Sequence, residues 1–394
     1  MSSKVYIVDA ARLPIGKYGG MYSDVGPEEL GGFLMKTMLD KHPGLNEHID
    51  EVIVGNVIGG GGNVARRVAL KAGLPVETPA VTVDRQCASG LEAIAVGHMK
   101  IMSGFGEVMI CGGVESSSRA PWQIERPKSL YGMQAPQILT RQPLSTNEYG
   151  DPDMGAAAEG LAEKYGITRE QQDAFALQSQ FKYQTAKQAG VFQSEITPFR
   201  NNDELLLSED ECLRSRNSLE SLNRLKPVFK ANGTITAGNC CPVNDGASFT
   251  ILASEHACRL YHLTPIAQVV DAVAVGVNPN DFGLGPVPAV QKLLACQELT
   301  LEAIDVIELN EAFAVQALAC IKLGNFPIEK INPSGGATAF GHPYGATGAI
   351  LVTRLLTELN RKENNRCGIV TMCVGGGQGA AMLIRKAGPI DGEQ

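Results

Sequence analysis

A cysteine at position 87 lies where the sequence changes from a strand pattern to a helix pattern. Residues 80–83 form a short β-type run, and residues 89–102 are apolar on almost every side, which is typical of a buried helix. A turn between a strand and a helix can present a side chain to a ligand, and the helix N-terminus lowers the pKa of a thiol there. Cys87 is therefore a candidate nucleophile. The same stretch is also compatible with a small buried cysteine that fills a gap in the core.

A cysteine nucleophile needs a base beside it, and the chain offers six histidines. Four of them have polar or charged neighbours typical of a surface: His42, His48, His256 and His262. His98 falls within the buried helix that follows Cys87. His342 alone is framed by glycines and a proline, in the motif GHPYG at 341–345, just before another apolar helix pattern. His342 is the best partner for Cys87 by elimination, although a loop histidine that only binds backbone groups would fit the same pattern.

Further polar groups follow two other buried strand patterns. Cys373 precedes three glycines at a strand end, where backbone N–H groups can face a ligand. We expect this thiol to serve as a second acid or base, with the Gly375 N–H beside it. Asn310 follows the strand pattern at 304–309 and can orient its amide toward the same region. Two thiols, a histidine and an asparagine beside glycine backbone indicate acyl transfer with stabilised oxyanions, without a metal or redox cofactor.

The composition excludes several classes of protein. The 394 residues carry a net charge of −8, which argues against nucleic acid or an anionic membrane as a partner. Ten cysteines show neither a CxxC pair nor the Cys–His spacing of a zinc site, so we expect no metal and the reduced thiols of an intracellular chain. Neither a signal peptide pattern nor an apolar run of membrane-spanning length occurs, and we expect a cytoplasmic protein.

The two ends of the chain resemble each other. Each has a short strand, a glycine-bearing turn with Cys87 or His342, an apolar helix, and a strand that ends in glycines. We interpret this as a duplicated α/β unit, each copy with its own sheet, packed face to face around one shared site. The predicted N-terminal half comprises 1–120 and 247–266, and the C-terminal half comprises 267–394.

Residues 121–246 differ in texture and indicate an insertion over this body. The segment is richer in charge and proline, and it contains two helix patterns at 155–165 and 168–188, the second capped by Thr168. Its acidic stretch at 203–211 is predicted to be a solvated loop. Elsewhere, four glycines at 59–62 lack the spacing of a phosphate-binding motif and indicate a plain loop.

At this point the chain resembles the thiolase family (acetyl-CoA C-acyltransferases) from end to end. The resemblance is carried by six motifs that occur in the family's order: VDRQCASG (83–90), GGVES (112–116), NEAFA (310–314), NPSGG (332–336), GHPYGATG (341–348) and CVGGG (373–377). It implies a five-layered αβαβα fold with an inserted loop domain, 121–246, that covers coenzyme A. It also implies a homodimer or homotetramer that binds acyl-CoA and CoA as substrates and holds no permanent cofactor.

The resemblance further implies a role for each candidate. Cys87 takes the acyl group as a thioester, and His342 activates it. His342 also holds the thioester oxygen of the incoming acyl-CoA, together with Asn310 acting through a water. Cys373 removes or returns the α-proton of acetyl-CoA. The backbone N–H groups of Cys87 and Gly375 form a second oxyanion hole. The implied contacts with coenzyme A are Arg214, Cys241, Met154, Phe229 and Phe313.

This sequence departs from the family in places that affect substrate choice. Cys241 stands where many members have a serine facing the pantetheine arm, and Phe282 replaces a common methionine of the pocket. Acyl chain length and the direction of the reaction stay open. Two alternatives are a ketoacyl or hydroxymethylglutaryl-CoA synthase, and a non-catalytic acyl-CoA or lipid-binding relative. The first lacks a second cysteine like Cys373, and the second would be favoured by loss of Cys87, His342 or Cys373.

Overall fold

The structure, a computed structural model, describes residues 4–126, 131, 135–201, 204–214 and 218–388. Its strands are β1 (Val5–Arg12), β2 (Gly16–Lys17), β3 (Glu51–Gly55), β4 (Ala80–Val83), β5 (Val108–Ser116), β6 (Gln123–Glu125), β7 (Gln137–Leu139), β8 (Phe199–Asn201), β9 (Glu204–Leu207), β10 (Asn244–Ser254), β11 (Ala267–Gly276), β12 (Val306–Leu309), β13 (Cys367–Val374) and β14 (Gln378–Lys386). Its helices are α1 (Pro27–Leu39), α2 (Val64–Lys71), α3 (Ser89–Met102), α4 (Met154–Tyr165), α5 (Arg169–Gln188), α6 (Leu219–Asn223), α7 (Glu255–Leu260), α8 (Pro286–Cys296), α9 (Ala314–Gly324), α10 (Ala337–Phe340) and α11 (Tyr344–Arg361). None of the helices within these ranges is both long and apolar enough to cross a membrane.

The large sheet contains the same arrangement of four strands twice. In the N-terminal half, β3 pairs in parallel with β5, and β5, β10 and β1 follow as antiparallel neighbours. In the C-terminal half, β12 pairs in parallel with β13, and β13, β14 and β11 follow in the same antiparallel way. Strand β4 adds an edge beside β3. Repetition of both order and direction is what a duplicated unit predicts.

The expectation of a separate sheet for each half was wrong. Strands β1 and β11 pair with each other over three residues, Val5 with Val269, Tyr6 with Gln268 and Ile7 with Ala267. This short antiparallel contact joins the two sets into one sheet of ten strands. The pairing uses the N-H and C=O groups that each half would otherwise leave free at an edge strand.

The helices form three layers on the two halves of this sheet. Helices α3 and α11 pack against each other and against strands of both halves, and they fill the largest apolar cluster. Helices α1 and α2 cover the outer face of the N-terminal half, and α8 and α9 cover the outer face of the C-terminal half. Helices that lie between the two halves of this sheet are buried on every side and must be apolar all round, as the sequence of residues 89–102 indicated.

Glycines let the central helices approach backbone to backbone. A Cβ atom at Gly90 of α3 would lie 2.7 Å from the carbonyl oxygen of Gly345 in α11. A Cβ atom at Gly348 would lie 2.3 Å from the backbone nitrogen of Leu91. Both separations are shorter than a real Cβ contact, so only glycine allows this spacing. The first turns of α3 and α11 are thereby held side by side.

The block at 121–246 comprises the hairpins β6–β7 and β8–β9 with α4, α5 and α6, and it enters the chain between β5 and β10. Thr168 caps α5 through a capping box with Gln171, as predicted. The block is more deeply anchored than an overlying insertion would be, because Tyr183 of α5 belongs to the central core. Anchoring of this kind makes α5 a rigid support for neighbouring loops.

The acidic stretch at 203–211 only partly confirms the predicted solvated loop: four of its residues are exposed, Glu204, Leu205, Ser208 and Glu209, and residue 203 lies outside the described residues. Residues 204–207 form β9, and Asp210 is buried. Its carboxylate forms a salt bridge at 2.8 Å with Arg12 of β1, which has no exposed surface. A second salt bridge at 2.8 Å joins Arg12 to Glu195. Burial of an arginine requires such partners, so this pair of contacts ties the inserted block to the sheet.

Candidate active site

Cys87 lies in a tight turn between β4 and α3. Gln86, directly before it, has a φ of 45°, which is unusual for a residue other than glycine. The hydroxyl of Ser89 accepts a hydrogen bond from the Arg85 N–H at 2.8 Å and donates one to the Gln86 carbonyl at 2.7 Å. The Gln86 N–H donates to the Asp84 carboxylate at 2.7 Å. These hydrogen bonds stabilise the unusual backbone conformation of the turn and fix the position of the thiol.

The backbone around Cys87 already points two donors at its sulfur. The N–H groups of Gly375 and of Cys87 itself act on the thiol and lower its pKa. Burial has the larger effect and raises the pKa of Cys87 to about 11. The sequence-based expectation of a lowered thiol pKa was therefore wrong, because burial outweighs the favourable donors. The thiol needs a base to become a nucleophile.

His342 leaves one of its two ring nitrogens without a partner among the described residues. Its Nδ1 atom lies 2.7 Å from the hydroxyl of Thr347, and this hydroxyl donates a hydrogen bond to the Pro343 carbonyl at 2.9 Å. The Thr347 hydroxyl proton is directed at the Pro343 carbonyl, so the hydroxyl oxygen accepts a hydrogen bond from His342 Nδ1–H. In this assignment of the tautomer, the lone pair of the imidazole is on Nε2. Nε2 is buried and has no hydrogen-bond partner among the described residues. Burial lowers the pKa of His342 to about 3, so the imidazole is neutral.

Asn310 presents a second unpaired group. It is fully buried, and neither its side-chain nitrogen nor its oxygen has a hydrogen-bond partner in the described parts of the chain. Its backbone N–H donates to the Thr371 carbonyl at 3.0 Å, which places it beside β13. The next residue, Glu311, is held by the Ser179 hydroxyl at 2.7 Å and the Asn332 amide at 2.8 Å. A buried amide left open in so rigid a setting is placed to bind a ligand or a water.

Cys373 lies at the end of β13 and is fully buried. Its thiol pKa is raised well above the ordinary value, first by burial and then by the neighbouring thiols Cys87, Cys320 and Cys241. The turn that follows places Gly376 and Gly377 at φ values of 83° and 84°, which glycine adopts without strain. A Cβ at Gly377 would lie 2.4 Å from the Val277 carbonyl oxygen, so the turn closes tightly. The Gly375 N–H in this turn acts on the Cys87 thiol, and the thiols of Cys87 and Cys373 lie close enough to affect each other electrostatically.

Four of the five predicted coenzyme A contacts surround this centre. Phe313 packs edge-on between Phe229 and Phe282, with ring centroids 6.0 and 6.2 Å apart. The Met154 sulfur would lie 3.4 Å from a Cβ atom at Gly375. Cys241 packs against the clusters that contain Cys87 and Cys373.

Arg214 is the fifth predicted contact and lies at the surface. Its guanidinium donates a hydrogen bond to the Ala237 carbonyl at 2.9 Å, and its backbone N–H donates to the Gln180 side chain at 3.0 Å. These bonds leave other guanidinium donors available to an anionic group. The position is compatible with a contact to the nucleotide end of a ligand that extends inward to Cys87.

Sequence reasoning missed two residues of the site. Glu115 is fully buried, and its carboxylate accepts hydrogen bonds at 2.9 Å from the Gly345 N–H and from the Asn56 amide. Burial raises the pKa of Glu115 to about 7. Tyr344 packs edge-on against His342, with ring centroids 5.1 Å apart. Both residues lie within motifs that carry the family resemblance, GGVES and GHPYGATG. Their position inside these motifs was the signal that could have identified them.

The site contains donors for oxyanions rather than ligands for a metal. In the described ranges, no group of three or more His, Cys, Asp or Glu side chains is placed to hold a metal ion. The polar groups of this region are a buried thiol with N–H donors beside it, a neutral imidazole with a free Nε2, and an open amide. This arrangement suits nucleophilic acyl transfer, in which negative charge develops on a carbonyl oxygen.

Comparisons with known proteins agree with the fold. Residues 5–256 match the N-terminal domain of thiolases, and residues 263–386 match the thiolase C-terminal domain. A β-ketoadipyl-CoA thiolase of Pseudomonas aeruginosa is 44% identical over 401 residues, which cover 98% of this chain and 100% of that protein.

Solved structures extend the agreement to three dimensions. An acetyl-CoA acetyltransferase of Bacillus anthracis superposes with a TM-score of 0.93 at 37% identity, over 98% of this chain and 99% of that one. The human mitochondrial 3-ketoacyl-CoA thiolase in complex with CoA superposes with a TM-score of 0.92 at 38% identity, over 98% of each chain. These matches confirm the predicted fold and acyltransferase class, and the chain belongs to the thiolase family.

Proposed function

We propose that this thiolase cleaves 3-ketoacyl-CoA with free CoA, and condenses two acetyl-CoA molecules in the reverse direction, through an acyl thioester on Cys87. The observation that supports this most directly is the pair of open polar groups beside the thiol. His342 Nε2 and both side-chain atoms of Asn310 are buried without partners among the described residues. Burial of unpaired groups is costly, so a substrate oxygen or an ordered water is their natural complement.

Cleavage begins when His342 Nε2 takes the Cys87 proton and the sulfur attacks the 3-keto carbon. The N–H groups of Cys87 and Gly375 stabilise the negative charge that forms on the keto oxygen. The bond between C2 and C3 then breaks, which leaves the shortened acyl group on Cys87 and an acetyl-CoA enolate. His342, and Asn310 through a water, hold the enolate oxygen while Cys373 donates the proton to C2. Free CoA then gives its thiol proton to the Cys373 thiolate and takes the acyl group, and the departing Cys87 thiolate recovers its proton from His342. The cycle is of the ping-pong type.

The enolate can form because the hydrogen-bond donors that stabilise its oxygen are in place before the charge develops. Each oxyanion donor in such a site contributes on the order of 3–4 kcal/mol to transition-state stabilisation. The Gly375 N–H lies in a turn that closes against Val277, and Asn310 is fixed by Thr371 and by its neighbour Glu311. The donors therefore need little reorganisation when charge develops.

We further propose that short 3-ketoacyl chains are the preferred substrates. Beside the Gly375–Gly377 turn, a cavity of only about 10 Å³ is lined by Leu144, Met154, Phe282 and Gly376, among others. A Cβ at Gly375 would lie 3.2 Å from the Leu144 side chain, so this wall is close to the reacting centre. So little free space beside the reacting centre leaves no room for a long acyl chain, which favours the shortest 3-ketoacyl groups. The chain would then act as an acetyl-CoA C-acetyltransferase with limited activity on longer 3-ketoacyl-CoA.

The test is thiolysis of 3-ketoacyl-CoA esters of increasing length with free CoA, combined with mass spectrometry of the Cys87 peptide. We expect turnover to be highest with acetoacetyl-CoA and an acetyl adduct to appear on Cys87. Undiminished turnover with long chains would contradict the chain-length proposal and favour a general 3-ketoacyl-CoA thiolase of fatty acid metabolism. Absence of both turnover and adduct would contradict the catalytic proposal itself.

Residues 121–246 are proposed to cover bound coenzyme A, since Met154, Phe229, Arg214 and Cys241 all belong to this block.

We also propose a homodimer or homotetramer. Several large apolar side chains are exposed on the β6–β7 hairpin, Trp122, Ile124 and Ile138, and such patches commonly mark interfaces. Light scattering on the purified enzyme tests the assembly.

All ten cysteines are unpaired, which supports a reducing compartment such as the cytoplasm.

A further inference from the structure

His342 is held by its main chain as well as by its ring. Its backbone N–H donates a hydrogen bond at 2.9 Å to the Oδ1 atom of Asn244, the first residue of β10. Val243, directly before Asn244, forms an isolated bridge with His342, so the two segments run side by side. Pro343 has no N–H group, and the next backbone donor after His342 therefore belongs to α11. The Asn244 side chain thus anchors the main chain at the residue that carries the proposed base.

The Asn244 amide can adopt only one orientation here. The residue has no exposed surface, and its side-chain nitrogen donates to the Gly16 carbonyl at 2.7 Å and to the Cys212 sulfur at 2.9 Å. Rotation of the amide by half a turn would bring its nitrogen against the His342 N–H and its oxygen against the Gly16 carbonyl. Both of those pairs are repulsive. The oxygen therefore stays directed at the His342 N–H.

The main chain of Asn244 is fixed in the N-terminal half of the sheet. It pairs with Lys17 of β2, and its carbonyl accepts a hydrogen bond from the Ser117 hydroxyl at 2.7 Å. Ser117 follows directly after β5, the neighbour of β10. A side chain whose own backbone is held in this way is a rigid support for the segment that it contacts.

Gly341 makes room for this contact. Its φ is 109°, and a Cβ atom there would lie 2.4 Å from Asn244 Oδ1. Any other residue at this position would push the amide away from the His342 N–H. The imidazole ring is oriented from α11 through Thr347, at 2.7 Å, whereas the main chain of His342 is placed from β10 through Asn244. Together the two contacts define both the position and the rotation of the ring.

We propose that Asn244 is a positioning residue for the reaction: its amide fixes the main chain of His342, so that Nε2 lies where it can take the Cys87 proton. The proposal rests on the proposed function for the role of His342 as the base. Asn244 acts through His342 and touches no substrate in this scheme. Its loss should therefore slow the acylation of Cys87 and leave the affinity for CoA unchanged.

The variants Asn244→Ala and Asn244→Asp test this role. Asn244→Ala removes the acceptor, and we expect both kcat and the rate of Cys87 acylation by acetyl-CoA to fall about 10- to 100-fold, the range for a small displacement of a catalytic group. The Kd of CoA, measured by calorimetry on unacylated enzyme, should not change. Asn244→Asp retains the Oδ1 acceptor but loses both donors, so it should recover most of the acylation rate while its thermal midpoint of unfolding stays below that of wild type.

Ser117→Ala is the matched control, because it removes a buried hydrogen bond to the same residue and leaves the contact with His342 intact. We expect it to lower the thermal midpoint without slowing acylation. A wild-type acylation rate in Asn244→Ala would overturn the proposal. Acylation that falls with the thermal midpoint in all three variants would also overturn it, because the rate would then follow stability alone.

Hydrogen exchange decides the question on wild-type enzyme if the Asn244 variants do not fold. Pro343 has no N–H, so a short peptide that ends there reports the His342 amide with few others. We expect this amide to be protected, and exchange as fast as in an exposed loop would refute the hydrogen bond to Asn244. Failure of the proposed function is a different result: wild-type enzyme would then form no acyl adduct on Cys87, whereas protection of the His342 amide could still be measured.

Discussion

The substitution Thr347→Val should slow the enzyme by changing which nitrogen of His342 carries the proton. The Thr347 hydroxyl accepts a hydrogen bond from His342 Nδ1 at 2.7 Å and donates one to the Pro343 carbonyl at 2.9 Å. Valine has nearly the same shape and removes only this oxygen. The Pro343 carbonyl still accepts the N–H groups of Ala346 and of residue 347, so the first turn of α11 keeps its backbone bonds. The effect is confined to the imidazole.

Without the hydroxyl, the Nδ1–H group is buried and unpaired, which costs about 1–3 kcal/mol. The imidazole can avoid that cost by moving its proton to Nε2 or by rotating, and either change removes the free Nε2 lone pair from Cys87. If this whole penalty appears in the barrier to thiolate formation, kcat falls by about 5- to 150-fold. Thr347→Ser is the matched control, because serine retains the hydroxyl at the same position.

The assay is steady-state thiolysis of acetoacetyl-CoA, together with the rate of Cys87 alkylation by iodoacetamide and the thermal midpoint of unfolding. We expect Thr347→Val to lose kcat and alkylation rate together, with Thr347→Ser close to wild type and both variants folded. A Thr347→Val enzyme with wild-type kcat and alkylation rate would refute the tautomer argument. Equal losses in both variants would also contradict it, because Thr347→Ser retains the hydroxyl, and would assign the effect to disturbed packing at this position.

Other substitutions test the remaining roles. Cys87→Ser should reduce turnover at least about 1,000-fold, because a hydroxyl is a far weaker nucleophile than a thiolate, and normal turnover would exclude this nucleophile. Cys373→Ala should still acylate Cys87 from acetyl-CoA but fail in condensation; loss of acylation as well would contradict the division of labour. Since burial raises the pKa of Cys87 to about 11 and lowers that of His342 to about 3, alkylation of free enzyme should rise about tenfold per pH unit from pH 7.5 to 9.5. A plateau at neutral pH would instead indicate a thiolate–imidazolium pair. Arg12→Ala should lower the free energy of unfolding by about 3–5 kcal/mol in denaturant titrations, because it leaves buried carboxylates unpaired. Arg224→Ala, which breaks an exposed pair, should change it by less than about 1 kcal/mol; equal effects would contradict the role assigned to burial.

Local features of the site could be predicted from the sequence because they depend on residues close together in the chain. The strand at 80–83, the turn with Cys87 and the helix at 89–102 follow from apolar patterning and from small residues at the turn. The capping box of α5 follows from Thr168 and Gln171 in the same way. Repetition of this local pattern around His342 was enough to predict the duplication. The roles of Asn310 and of Gly375 came from family motifs rather than from spacing.

Properties that depend on distant partners were not accessible in this way. Asp210 pairs with an arginine 198 positions away, so its acidic neighbours indicated solvent while tertiary packing buried it. The three-residue contact between β1 and β11 is too short to leave a pattern in either strand. The raised pKa of Cys87 results from burial, which a strand–turn–helix motif does not report. Tyr344 resembles an ordinary core aromatic until its neighbours are known.

The meeting of Cys87 and His342 follows from where duplication places them. Each precedes one of the two central helices, and these helices begin side by side because glycines remove the Cβ atoms from their contact. A Cβ at Gly113 would lie 1.9 Å from the Gly345 carbonyl oxygen, so β5 supports the start of α11 equally closely. Glu115, two residues further along β5, accepts the Gly345 N–H at 2.9 Å and fixes that end of the helix. The proposed nucleophile and its proposed base come from different halves, yet their separation is set by the packing of the two central helices. The loops that carry them only complete a geometry that helix packing has already determined.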